Sequence, residues 1–165
     1  MEIDILIEDP AWDGVDLEAL APRACGEALE ELGMEPTQFS VSLLACDDAR
    51  IAALNAEFRG RAKPTNVLSW PSVDRAPSVP GEMPHLPPPN PVGPPEELGD
   101  IALAWETCAR EAAEAGKPVE QHVAHLLVHG LLHLLGFDHE TDPDADLMEE
   151  LETRILARLG VPDPY

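Results

Sequence analysis

"HVAHLLVHGLLHLLGFDH" (His122–His139) sets five histidines among leucines and valines. An α-helix turns about 100° per residue, so side chains four apart, such as His129 and His133, differ by about 40° and face the same way. Two imidazoles so placed can grip one metal ion. Gly136 follows, where a left-handed cap can end the helix and turn the chain so that His139 returns to the same ion. The expected outcome is three neutral nitrogen donors, His129, His133 and His139, with a fourth coordination position open. Catalytic zinc sites have that pattern, whereas structural sites fill all four positions, often with cysteines, and no cysteine lies near this stretch. One zinc ion per chain is therefore the expected cofactor. A lone histidine would be read as a core or surface side chain; three with a geometric reason for their spacing are read as ligands. His122 and His125 share this face. Because a helix that is apolar all round is buried, the histidine stripe must line a cleft or a polar pocket. His125 is then a candidate for orienting a ligand or touching substrate, and equally for a hydrogen-bonded core histidine. His122, near the helix start, is expected to be exposed.

Outward from this helix the chain alternates between periods of 3.6 and 2. Downstream, Leu147, Leu151, Ile155 and Leu159 mark a helix from about Asp142 to Leu159, closed by Gly160. Upstream, "ETCAREAAEAG" reads as a helix and "DIALAW" (Asp100–Trp105) and "NVLSW" as short strands. Asp47 caps a helix with Ile51, Leu54 and Phe58 on one face. "FSVSLLAC" alternates as a strand, Leu17–Leu32 recurs at helical spacing before Gly33, with Pro22 near its first turn, and Ile3, Ile5 and Ile7 form a first strand. Four strands and five helices in this order describe an α/β chain, and 165 residues suit a single domain over residues 1–165. Between Pro71 and Pro95 stand ten prolines in 25 residues. A packed core has no use for such a segment, so residues 71–97 are expected to be an exposed loop insertion with polyproline character; a proline-motif ligand is the less favoured account.

With 44% apolar residues the chain is globular rather than disordered. No apolar run approaches a membrane span, no export signal is visible, and Cys25, Cys46 and Cys108 are odd in number and far apart. Unpaired thiols suit a reducing compartment, so the cytoplasm is the expected location. The net charge of −22 speaks against nucleic-acid binding if averaged over the chain. The average hides a polarity, however. Arg50, Arg59, Arg61 and Lys63 face only Glu57 between residues 50 and 66, while residues 138–152 hold eight acids and no Lys or Arg.

Zinc proteases of the metzincin class share the His-x-x-x-His-x-x-Gly-x-x-His spacing but carry Glu after the first His as general base. Here that position is Gly130. A metal ion can ionise water near neutral pH without a protein base. Hydrolysis therefore survives the missing glutamate, while the specific case for peptide bonds does not. The basic segment "FRGRAKPTNVLSW" points to another substrate. The planar fork of Arg59 suits a phosphate, and a Lewis acid plus an arginine clamp suits a phosphodiester. The plainer account of Arg59 is a surface salt bridge.

These residues resemble the YbeY family, rRNA maturation factors and single-strand-specific endoribonucleases of bacteria. The resemblance covers most of the chain. It rests on "HGLLHLLGFDH" preceded by "AHLLVHG", on "LNAEFRGRAKPTNVLSWP", on "LGDIALA" and on "MEELETRILARLG", in that family's order of blocks. It implies an α/β fold with a small mixed sheet packed by helices and a metal cleft at the histidine helix. By position it implies zinc on His129, His133 and His139 and a functional role for Arg59. Asn66, where the family usually has Asp, and Asp138 join His125 as candidates for supporting or substrate contacts; Asn66 is expected near the cleft, hydrogen-bonding rather than titrating. Trp70 and Phe137 stand where the family has Phe and often Tyr. The implied activity is zinc-dependent hydrolysis of single-stranded RNA in 16S rRNA 3′-end maturation and ribosome quality control. The implied partners are rRNA and the ribosomal small subunit or its proteins, with no DNA and no membrane. The alternative is a ribosome-assembly factor whose metal chiefly organises the C-terminal fold; a metalloprotease is a distant third.

Overall fold

A computed structural model describes residues 1–165. Four strands, β1 (Glu2–Ile7), β2 (Phe39–Cys46), β3 (Val67–Pro71) and β4 (Glu96–Ala104), form one sheet in the order β1-β2-β4-β3. β1, β2 and β4 run parallel, and β3 is antiparallel to β4. Parallel neighbours need a crossover. Helix α1 (Leu17–Glu31) supplies the first; α2 (Asp48–Arg59), β3 and the proline-rich loop together make the second. Helices α3 (Trp105–Glu114), α4 (Val119–Leu134) and α5 (Asp142–Arg158) complete the α/β domain. No helix is long and apolar enough to cross a membrane.

The alternation in β2 turns Phe39, Val41, Leu43 and Ala45 into the core. β4 is buried on both faces from Ile101 to Ala104, which explains its continuous apolar run. One face meets the main core, and the other meets Ile51 and Leu54 of α2 in a smaller cluster. Asp16, Asp47 and Thr141 cap α1, α2 and α5 by accepting from the backbone N–H of Ala19, Arg50 and Asp144.

α4 lies at the centre, against α1, α3, α5, β3 and β4. Gly130 sets how closely it approaches the sheet. A Cβ there would stand 3.2 Å from Ile101 Cδ1 and 3.3 Å from its Cγ2, so the position that carries the protease glutamate elsewhere is here a packing contact on the buried side of the helix. Burying Leu126, Leu127, Leu131, Leu132 and Leu134 stabilises α4 by about 1.5–3 kcal/mol each. That burial leaves the histidines on the face that is only half covered.

Several local expectations are corrected. Pro22 lies inside α1, a turn deeper than the N-terminal turn; the helical bond it cannot donate falls at exposed Glu18. Phe58 leaves the buried face of α2, is 58% exposed, and stacks edge-on against Trp70 at 5.7 Å. β4 begins at Glu96 rather than Asp100, because pairing with β2 extends through Phe39–Glu96, and Trp105 opens α3 instead of ending the strand. The proline-rich segment thus ends before β4 and is not wholly exposed, since Arg75, Pro84 and Pro87 are buried.

Candidate metal centre and its cleft

His129 and His133 occupy successive turns of α4, and their Nε2 atoms are 3.0 Å apart. Gly136, at φ 103°, turns the chain after the helix; a Cβ there would lie 2.6 Å from the carbonyl oxygen of Arg75. This turn brings His139 back, so that one nitrogen from each of His129, His133 and His139 lies within 4.8 Å of the others. Asp138 accepts from the backbone N–H of His139 at 2.7 Å and helps hold the turn.

The far sides of two rings are fixed by acceptors. His133 Nδ1 donates to the Phe137 carbonyl at 2.9 Å, and His129 Nδ1 donates to Glu152 Oε1 at 2.8 Å. A carbonyl and an ionised carboxylate can only accept, so both Nδ1 atoms carry the proton, and in the neutral rings both Nε2 atoms present lone pairs. Two lone pairs facing each other at 3.0 Å repel unless a cation lies between them. The donor set therefore fits a divalent ion such as zinc, which three imidazoles and an open position would suit. Burial, then the neighbouring charges of His129 and His139, bring His133 down to about 4, which keeps its Nε2 free near neutral pH.

Sequence reasoning missed Glu152. It projects from α5 and is 1% exposed. Burial opposes its ionisation, but donors from His125 at 3.2 Å, His129 at 2.8 Å and Tyr165 at 2.5 Å outweigh that and hold its pKa down at about 2. One signal was present. Glu152 sits on the apolar stripe of α5 between Met148 and Ile155, where a carboxylate is out of pattern. Nothing in the sequence pointed to Tyr165.

His129, His133 and His139 open into a cleft of about 1020 Å³ that the basic segment also lines. Arg59, Arg61, Lys63 and Arg75 line it, four of the ten Lys and Arg residues in the chain. Arg75 pairs with Glu96 at 3.7 Å, but no carboxylate stands within ion-pair reach of Arg59, Arg61 or Lys63. Arg59 Nη2 donates instead to the Ser69 carbonyl. Asn66 and Asp138 also line the cleft. The Asn66 side chain donates to Glu111 Oε1 at 2.9 Å and accepts from the Val67 backbone N–H at 2.7 Å. His122, expected to be exposed, has a side chain only 12% accessible, because Glu111 holds its Nε2 at 2.9 Å. His125 belongs to the Glu152 network and does not line the cleft. Cys25, Cys46 and Cys108 are unpaired and buried, and burial raises each thiol to about 12. They are inert as nucleophiles.

Comparison with known proteins bears on the family and the fold. The family model described as "Endoribonuclease YbeY" matches residues 4–160. A protein named endoribonuclease YbeY from Jannaschia sp. is 67% identical over 165 residues, with all of both chains covered. Its namesake from Dinoroseobacter shibae is 63% identical, with 99% of this chain and 90% of that one covered. A solution structure of a Thermotoga maritima protein shares the fold, with a TM-score of 0.56 at 21% identity over 96% of this chain and 91% of that one. With a family model spanning nearly the whole chain and full-length relatives above half identity, this protein belongs to the endoribonuclease YbeY family.

Proposed function

We propose that this enzyme is a zinc-dependent endoribonuclease that hydrolyses phosphodiester bonds in single-stranded RNA. The carrying observation is that the histidine triad and the unpaired cations of the basic segment line one cleft. The names of full-length relatives support the reaction class. In the proposed setting the substrate is rRNA in the cytoplasm, at the 3′ end of the small-subunit species. The small ribosomal subunit or its proteins are the proposed partners.

His129, His133 and His139 would hold the ion, and the ion would supply Lewis-acid polarisation and a lowered pKa for water. The protein's own groups do the rest. Arg59 uses Nη2 on Ser69, which fixes the plane of its guanidinium and leaves other N–H groups to grip a phosphate in a bidentate manner. Charge gathering on the phosphoryl oxygens then meets donors already in place. Arg61 and Lys63, both exposed, add positive potential along the same wall. The chain as a whole carries a large excess of acids, which disfavours a polyanion away from this wall. Asn66 bonds with Glu111 and positions the start of β3.

The test is cleavage of a labelled single-stranded RNA, beside its duplex, by zinc-loaded protein freed of contaminating nucleases. The expected result is cutting of the single strand by the wild type and none by His133→Ala. Equal cutting by both would overturn the reading. A folded, zinc-bearing wild type that leaves RNA intact would give the place to an assembly factor whose metal organises the C-terminal half.

A further inference from the structure

We infer that Glu152 is the positioning residue of the metal centre and that Tyr165 and His125 hold it in place, so that the chain after α5 forms part of the site; this rests on the metal reading above. Glu152 lies on the buried face of α5 among Met148, Leu151, Ile155 and Leu156. Its ion-pair partners are histidines, and no Lys or Arg reaches it. An apolar residue of similar volume at such a place commonly leaves a fold as stable or more so. Packing therefore does not explain a carboxylate here, whereas its contacts do.

Oε1 receives His129 Nδ1 at 2.8 Å and His125 Nε2 at 3.2 Å, and Oε2 receives the Tyr165 hydroxyl at 2.5 Å. The carboxylate is thus gripped from both ends, and its plane fixes the His129 ring that faces His133. The contact also selects the tautomer that leaves Nε2 free as a donor to an ion. Tyr165 is itself located. Its backbone N–H donates to Asp163 Oδ1 at 2.9 Å, and the same oxygen accepts from Thr153 Oγ1 at 3.4 Å, beside Glu152 on α5. The rings of Tyr165 and His125 pack edge to face at 5.7 Å and 87°. Two contacts therefore anchor a largely exposed tail next to a buried carboxylate.

Zinc affinity is measured by competition with a chromophoric chelator for the wild type, Glu152→Gln and Tyr165→Phe. The His129 tautomer is read from ring ¹⁵N shifts in each metal-free protein. Glu152→Gln keeps the shape and should weaken zinc binding by about 10- to 100-fold, with loss of the pure Nδ1–H tautomer at His129. Tyr165→Phe, at an exposed residue, should keep its circular dichroism spectrum and shift affinity in the same direction by less. A purely structural Glu152 would lower the melting temperature and leave affinity and tautomer alone, and that result overturns the inference. If Glu152→Gln does not fold, Tyr165→Phe decides: wild-type affinity there overturns the clamp. A wild type that takes up no zinc fells the metal reading and this inference together. A zinc-binding wild type matched by Glu152→Gln fells only the inference.

Discussion

Arg59 Nη2 donates to the carbonyl oxygen of Ser69 across 2.9 Å and ties the end of α2 to the edge strand β3. The contact occupies one nitrogen of the guanidinium and fixes its plane. Arg59→Lys keeps the charge but can satisfy either the carbonyl or a phosphate, not both in one rigid fork. It should lower RNA cleavage about tenfold or more, the scale of one lost charged hydrogen bond. Arg59→Glu should lower it further by repelling phosphate. Loss of the bond to the Ser69 carbonyl should cost about 0.5–1.5 kcal/mol of stability, too little to unfold the variants. Cleavage rates and urea midpoints for the three proteins check this; wild-type rates in both variants would remove Arg59 from substrate binding.

Gly136 is needed for two reasons, a φ of 103° and the Arg75 carbonyl at 2.6 Å from any Cβ. Gly136→Ala should cost at least about 1–3 kcal/mol in backbone strain and displace the turn that returns His139. The expected result is a lower unfolding free energy together with weaker zinc uptake. An alanine variant with unchanged zinc affinity would show that the turn adapts freely.

The metal-free protein should lose stability in acid in two stages. His133 titrates near 4 when folded against an ordinary 6.5, so its environment favours the neutral ring. Its contribution is complete above about pH 6.5 and is lost as pH falls toward 4, by at most about 3 kcal/mol before allowance for partial exposure. Glu152, held near 2 against 4.5, contributes fully above about pH 4.5 and loses that contribution as pH falls toward 2. Urea midpoints of chelator-treated protein should therefore drop between about pH 7 and pH 4.5, and His133→Ala should flatten that first stage.

Asn66→Asp should destabilise the fold by about 1–3 kcal/mol near neutral pH. The substitution removes the donor to Glu111 and sets a second carboxylate 2.9 Å from the first, while the bond accepted from the Val67 N–H survives. Denaturant unfolding at pH 7 measures it. A neutral outcome would mean that Glu111 turns away and is held by His122 alone.

The arrangement of strands and helices was legible in the sequence because it is written in periodicity. Alternation in "FSVSLLAC", the Asp47 cap and the leucines of α4 are local signals, and a helix pitch suffices to put His129 and His133 on one face. The glycine turn that returns His139 was legible for the same reason: only a residue tolerant of positive φ fits it. The family blocks carried the basic segment as well, but as a stretch of chain rather than as a cleft wall. Tertiary structure decided whatever depends on residues distant in sequence. It placed Arg59 and the histidines in one cleft, with Arg59 tied to β3, the strand beside β4. It turned Gly130 onto Ile101, so the missing protease glutamate reflects helix–sheet packing. It buried Arg75 within a segment whose prolines read as solvent-exposed. It also carried Glu152, and then Tyr165, to the back of the His129 ring, because α5 packs against α4. Composition and period describe what each element buries, and only the packed fold determines which buried polar group meets which donor.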